Sequence, residues 1–243
     1  MQQSSNPALS NKAFSRYEAV GVNDKMTVGG TLAKVGLSFV VLIVAAVIGW
    51  GLLPQFGTTI PVGVLWVGIA GTLVVGLLAA FKANFFTVML YAVLEGLYIG
   101  IISRLFETLY DGIVTQAIIL TGAIALAAYV LYAARIVKVT KKFISVVIIA
   151  TVGVLIYLVA EFFLSLFVPG FANIVFSGVG GIIIAAIIVL IAALNLFLDF
   201  NTIETGVEKG LAKKAEWYAA FGLLVTLIWL YISILRLLGA SRR

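Results

Sequence analysis

The stretch GVGGIIIAAIIVLIAALNLFLDF, residues 178–200, decides the fold. It contains no charge before Asp199. About 20 predominantly apolar residues are what a helix needs to cross the hydrocarbon of a bilayer. Within the run, Gly181, Ala185, Ile188, Ala192, Asn195 and Asp199 recur at intervals of four-three-four-three-four, which places them on one helical face. That face is small at one end and polar at the other. The segment therefore reads as a transmembrane helix whose packed stripe leads to a carboxylate.

Six further runs of comparable character lie at 35–54, 60–81, 85–106, 113–134, 143–168 and 217–238. Most connections are short; 135–142 and 201–216 are longer and charged. The pattern predicts an all-α polytopic membrane helix bundle, with seven transmembrane helices over residues 31–243 and a flexible cytoplasmic tail over 1–30. Residues 1–30 lack the charged-then-apolar pattern of a cleaved leader. Composition agrees. The chain is 63% hydrophobic, its mean hydropathy is +1.20 and only 11% of its residues are charged, against about 25% in a soluble domain. Lipid must be the solvent for most of it.

The formal net charge is +6. Placing the N-terminus in the cytoplasm leaves only Arg104, Arg236, Arg242 and Arg243 of the 16 cations outside. This is the bias that sets membrane orientation, and it gives no reason to expect a nucleic-acid partner. It points to a multi-pass protein of the cell (inner or plasma) membrane. Seven crossings would put the C-terminus outside; a last segment that only dips into the bilayer would return it to the cytoplasm.

The chain has no cysteine and no histidine. Disulfides, His/Cys zinc sites and Ser-His or Cys-His nucleophiles are thereby excluded. An intramembrane aspartyl protease needs two aspartates at depth, and the apolar runs offer only Asp199. An opsin-type Schiff base needs a lysine in the last helix, and 217–238 contains none. The expectation is a protein that is not an enzyme and has no resident cofactor. The glycines of Gly178–Gly181 are followed by no lysine, so close helix packing accounts for them better than a phosphate loop does.

Polar groups at membrane depth carry the functional information, because hydrocarbon penalises them. Glu95 lies well inside the third run, beside the small-xxx-small face Ala92, Gly96 and Gly100. Glu161 sits in the fifth run in a strict four-residue row with Gly153, Tyr157 and Ser165. Asp199 and Asn195 end the sixth, and Thr226 lies in the seventh in a row with Gly222, Trp229, Ser233 and Arg236. Desolvation favours the neutral form of a carboxyl, and carboxylate oxygens are hard ligands suited to Ca²⁺. Acids sheltered between helices could therefore gate a cation path, with Asp199 and Glu95 as candidate calcium contacts and Asp199 within reach of the seventh helix.

Several motifs in order resemble the Bax inhibitor-1 family, also called the transmembrane Bax inhibitor motif family, in its bacterial YccA-like branch. They are Leu196-Phe-Leu-Asp-Phe-Asn-Thr-Ile203, Glu216-Trp-Tyr-Ala-Ala-Phe221, Ile234-Leu-Arg-Leu-Leu238, Ser5-Asn-Pro-Ala-Leu-Ser10 with Ala13-Phe14, Tyr91-Ala-Val-Leu-Glu-Gly96, Ile102-Ser-Arg-Leu-Phe-Glu107 and Gly112-Ile-Val-Thr-Gln116. The resemblance implies seven helices with the seventh enclosed by the others, and a pH-sensitive leak of calcium through the membrane. It implies a sensor made of two aspartates, one in each of the last two helices. Asp199 matches the first; Thr226 stands at the second, so Glu95 or Glu161 would have to supply the other acid. Lys82 corresponds to a basic residue that pairs with the sensor in relatives. The competing expectation is a non-transporting membrane regulator acting on stress or protease pathways through membrane protein partners.

Overall fold

The computed structural model describes residues 24–52, 62–167 and 178–242, the side chains of 62–67 and 165–166 excepted. The motif at residues 5–14 and the side chain of Ser165 lie outside the described residues. Those residues form seven helices: α1 (Val28–Leu52), α2 (Val62–Phe81), α3 (Phe85–Leu109), α4 (Ile113–Ala133), α5 (Lys141–Phe167), α6 (Gly178–Glu208) and α7 (Ala215–Ser241). Six are long and apolar enough to cross a membrane, and the described part of α2, Gly68–Phe81, is apolar throughout. Large apolar side chains point outward, among them Val47 at 68% exposure and Ile149 at 71%. Water would penalise such a surface and acyl chains would not. Buried hydroxyls return to their own helix: Ser38 donates to Lys34 O at 2.8 Å, Thr121 to Ala117 O at 2.7 Å and Ser233 to Trp229 O at 2.7 Å. Such local satisfaction is what a helix needs where no water is available.

The chain divides into two compact units. The first holds α1, α2, α3, the end of α6 from Asn201 and the start of α7 up to Val225. Here α3 lies against α1 along small residues. A Cβ on Gly96 would overlap the Leu42 carbonyl, one on Gly100 the Ala46 carbonyl, and one on Gly49 the Leu97 carbonyl. The small-xxx-small face read from sequence is thus a backbone-to-backbone contact. Asn84 begins α3 with a reciprocal cap: Thr87 N–H donates to Asn84 Oδ1 and Asn84 N–H to Thr87 Oγ1, both at 3.1 Å.

Two helices extend beyond their apolar runs. α1 begins at Val28, inside the stretch that sequence assigns to a tail, and Met26 before it is only 2% exposed. α6 continues to Glu208 rather than stopping at Phe200, because Ile203 and Gly206 pack inward, Gly206 against Met26 and Leu211. Gly210, with φ of 61°, then ends α6. Leu211 N–H reaches Gly206 O at 3.1 Å and Gly210 N–H reaches Val207 O at 2.9 Å. This is the left-handed stop that glycine adopts at least cost.

The second unit holds α4, α5, α6 up to Phe200 and α7 from Thr226. The α6 stripe is as read: Gly181, Ala185, Ile188 and Ala192 are buried. The α5 row is not. Gly153 is exposed, and the buried positions are Val147, Val154 and Glu161, seven residues apart. A four-residue step turns a helix by about 400°, so a strict row of fours winds off any one face, whereas a seven-residue step nearly returns to it.

No described residue of α7 from Ala215 to Ala240 is exposed. The ring of Trp217, near its start, lies 5.5 Å from that of Phe85, which begins α3. At the far end, Arg242 donates to Asp111 O and Gln116 Oε1, both at 2.8 Å, just beyond the other end of α3. By length and composition the last helix is long and apolar enough to cross a membrane.

Candidate functional site

Each carboxyl is placed by its helix and by a hydroxyl or cation from a neighbouring one. In the first unit Glu95 is 8% exposed on α3, with the side chain of Thr72 from α2 beside its carboxyl. Tyr91, one turn earlier on the same face, is buried, with its ring 5.1 Å from that of Phe221 on α7. The Thr72 hydroxyl donates to Gly68 O at 3.0 Å, so its one proton is held within its own helix. Lys82 belongs to the same unit. Its side chain is exposed, and its carbonyl accepts from Thr87 Oγ1 at 2.8 Å.

In the second unit the carboxyl of Asp199 lies beside the side chain of Thr226 on α7. Asp199 is only partly buried as a residue, yet its Oδ2 is shut away and has no hydrogen-bond partner among the described residues. Thr226 is 8% exposed. One turn before Asp199, Asn195 donates from Nδ2 to Thr151 Oγ1 of α5 and to Ile191 O, both at 2.8 Å. Asn195 is a helix-to-helix tie, and interhelical hydrogen bonds in membranes average about 0.6 kcal/mol. Asn195→Leu is expected to lower unfolding free energy by about that amount, since Thr151 keeps its bond to Val147 O at 2.8 Å; detergent-titrated unfolding measures it.

Glu161 is placed with Arg236 of α7: Arg236 Nη2 lies 3.5 Å from Glu161 Oε1. Glu161 is 8% exposed, and both its Oε2 and the Tyr157 hydroxyl are buried without a hydrogen-bond partner among the described residues. Sequence counts Arg236 as an outer cation and places it on the Thr226 row, but names no partner for it. Its spacing from Thr226 and Ser233 was the available signal, because a residue on an inward row within the span needs a counter-charge. Arg236→Met is expected to destabilise the chain by leaving Glu161 unpaired, and adding Glu161→Leu should recover most of that loss. A double-mutant cycle on unfolding checks both.

Sequence reasoning missed a fourth acid. Glu216, fully buried in the first turn of α7, forms a short ion pair with Lys34 of α1. It also accepts the Thr27 N–H at 2.9 Å and the Thr27 hydroxyl at 3.1 Å. Thr27 in turn caps α1 by accepting the Gly30 N–H at 2.9 Å. In an ordinary capping box the third residue of the helix returns an acid to the cap N–H. That residue here is Gly30, and a Cβ on it would fall on the Glu216 carboxylate. The acid of the box comes from another helix. Among the described residues no three acidic side chains converge into a metal-holding cluster.

Lipid-facing apolar helices that shelter isolated carboxyls within the span define a multi-pass membrane protein. The chain matches the family model described as Bax inhibitor 1 like over residues 6–243. It belongs to that Bax inhibitor-1 family. Comparison with curated proteins finds no match.

Proposed function

We propose that this chain is a pH-sensitive cation leak of the Bax inhibitor-1 type, with calcium as the cargo and Asp199 as the group whose protonation switches it. The observation that carries the reading is the Asp199 carboxyl: one oxygen is enclosed without a hydrogen-bond partner among the described residues, and the group lies beside Thr226 on α7. A buried carboxylate oxygen left unsatisfied is costly, and both a proton and a cation relieve that cost. Alternation between those two occupants links flux to pH. Thr226 does not titrate; Glu95 and Glu161 are the other acids well inside the apolar runs and the ones to test beside Asp199. The cation excess at the N-terminal end supports a cytoplasmic N-terminus in the cell membrane.

The test is calcium flux into vesicles loaded with a calcium dye, on both sides of neutral pH. The intact chain should leak in a pH-dependent manner. Asp199→Asn should make flux independent of pH, and Glu95→Gln or Glu161→Gln should shift the profile, according to which is the second acid. A wild-type profile in Asp199→Asn would refute the role of this residue. A folded intact chain with no flux above empty vesicles would favour a non-transporting regulator.

A further inference from the structure

The α4–α5 connection differs in kind from the other charged loop. Residues 135–142 read Arg-Ile-Val-Lys-Val-Thr-Lys-Lys, four cations with no acid, whereas residues 201–216 set Glu204 and Glu208 among Lys209, Lys213 and Lys214, and end on Glu216, which pairs with Lys34. Orientation in the membrane would be served by either set. Lys138, Lys141 and Lys142 are exposed and form no ion pair among the described residues.

Helix stability does not explain them either. Lys141 and Lys142 occupy the first turn of α5, which holds no acid, and the helix dipole disfavours cations at that end. The loop joins two helices long and apolar enough to cross a membrane, which puts it at the end of both spans. Tyr132 and Phe200 rings lie 5.8 Å apart, Phe143 and Phe197 rings 6.2 Å apart, and Arg135 lies over Tyr132 at 5.9 Å. Tyrosine gathers where the bilayer meets its headgroups, and Tyr132 is the ring here that marks that level. Ile136, 68% exposed between the cations, adds an apolar anchor at the same level.

We infer that the α4–α5 loop is a binding surface for anionic phospholipid headgroups, with Lys138, Lys141 and Lys142 as the phosphate contacts. A phosphodiester there neutralises the lysines and the positive end of α5 together. Juxtamembrane lysines attract an anionic leaflet in this way, and the attraction is screened by salt. The surface is independent of the carboxyl switch.

The test uses the full chain in nanodiscs of phosphatidylcholine doped with headgroup-labelled phosphatidylglycerol, with lipid preference read by energy transfer from the protein's tryptophans. Both leaflets have the same composition, so a change of orientation leaves the readout intact. The wild type should favour phosphatidylglycerol, and the preference should weaken as salt is raised. K138Q/K141Q/K142Q should reduce it by about fivefold or more, the size that one lysine near an anionic surface contributes. K209Q/K213Q/K214Q should leave it unchanged. No preference in the wild type, or an equal preference in K138Q/K141Q/K142Q, would overturn the inference and leave these cations an orienting role alone.

Discussion

Gly96→Val is expected to destabilise the chain by about 3 kcal/mol or more, at the upper end of what overpacking costs. The new Cβ would overlap the Leu42 carbonyl and the Ala45 methyl of α1. Backbone cannot swing aside as a side-chain tip does, so α1 and α3 must separate along the whole seam that Gly49 and Gly100 share. Separation forfeits the close van der Waals contact that holds helices together in lipid, where no hydrophobic drive replaces it. Helix propensity works the other way, but removing a glycine gains at most about 1 kcal/mol, so packing wins. The control is Gly122→Ala on α4, where nothing lies within 4 Å of the added Cβ; it should be neutral or stabilising by up to about 1 kcal/mol. Unfolding by detergent titration separates the two. Equal behaviour of the two variants would mean that α1 and α3 are not in backbone contact.

Glu216→Ala is the second large effect, about 3 kcal/mol of stability. The substitution leaves Lys34, only 15% exposed, without its counter-charge and removes the acceptor of both Thr27 donors. Breaking a buried pair from one side costs far more than removing both members, because the remaining charge stays in a poor solvent. Lys34→Met combined with Glu216→Leu should therefore be much closer to wild type than Glu216→Ala alone. Glu216→Gln should fall between them, since an amide oxygen still accepts from Thr27. If all three variants lose the same amount, the carboxylate is not what joins α7 to the start of α1.

The features legible in sequence are those set by one helix at a time. Bilayer thickness fixes the length of each apolar run, and the α6 stripe was correct because steps of three and four together keep to one face. The α3 row Ala92, Gly96 and Gly100 is legible because small residues four apart mark a close helix contact, and all three are buried. The strict row of fours in α5 failed because it rotates, leaving Gly153 exposed and Glu161 inside. Helix ends were misplaced where polar residues pack. Hydropathy stops at Phe200, yet α6 continues because Gly206 receives Met26. The Lys34–Glu216 pair, 182 residues apart, has no local signature, and Gly30 looks like a flaw in a cap until the acid from α7 is in view. Thr226 is legible through its row in α7 and its register in the resemblance; that it lies beside the Asp199 carboxyl is not.

The proton switch is tested most directly by infrared difference spectroscopy of the reconstituted chain, taken between the pH values at which calcium flux differs. A protonated-carboxyl band that grows on acidification and disappears in Asp199→Asn is the predicted result. The same band persisting in Asp199→Asn, or no carboxyl change while flux responds to pH, would contradict Asp199 as the group that takes up the proton.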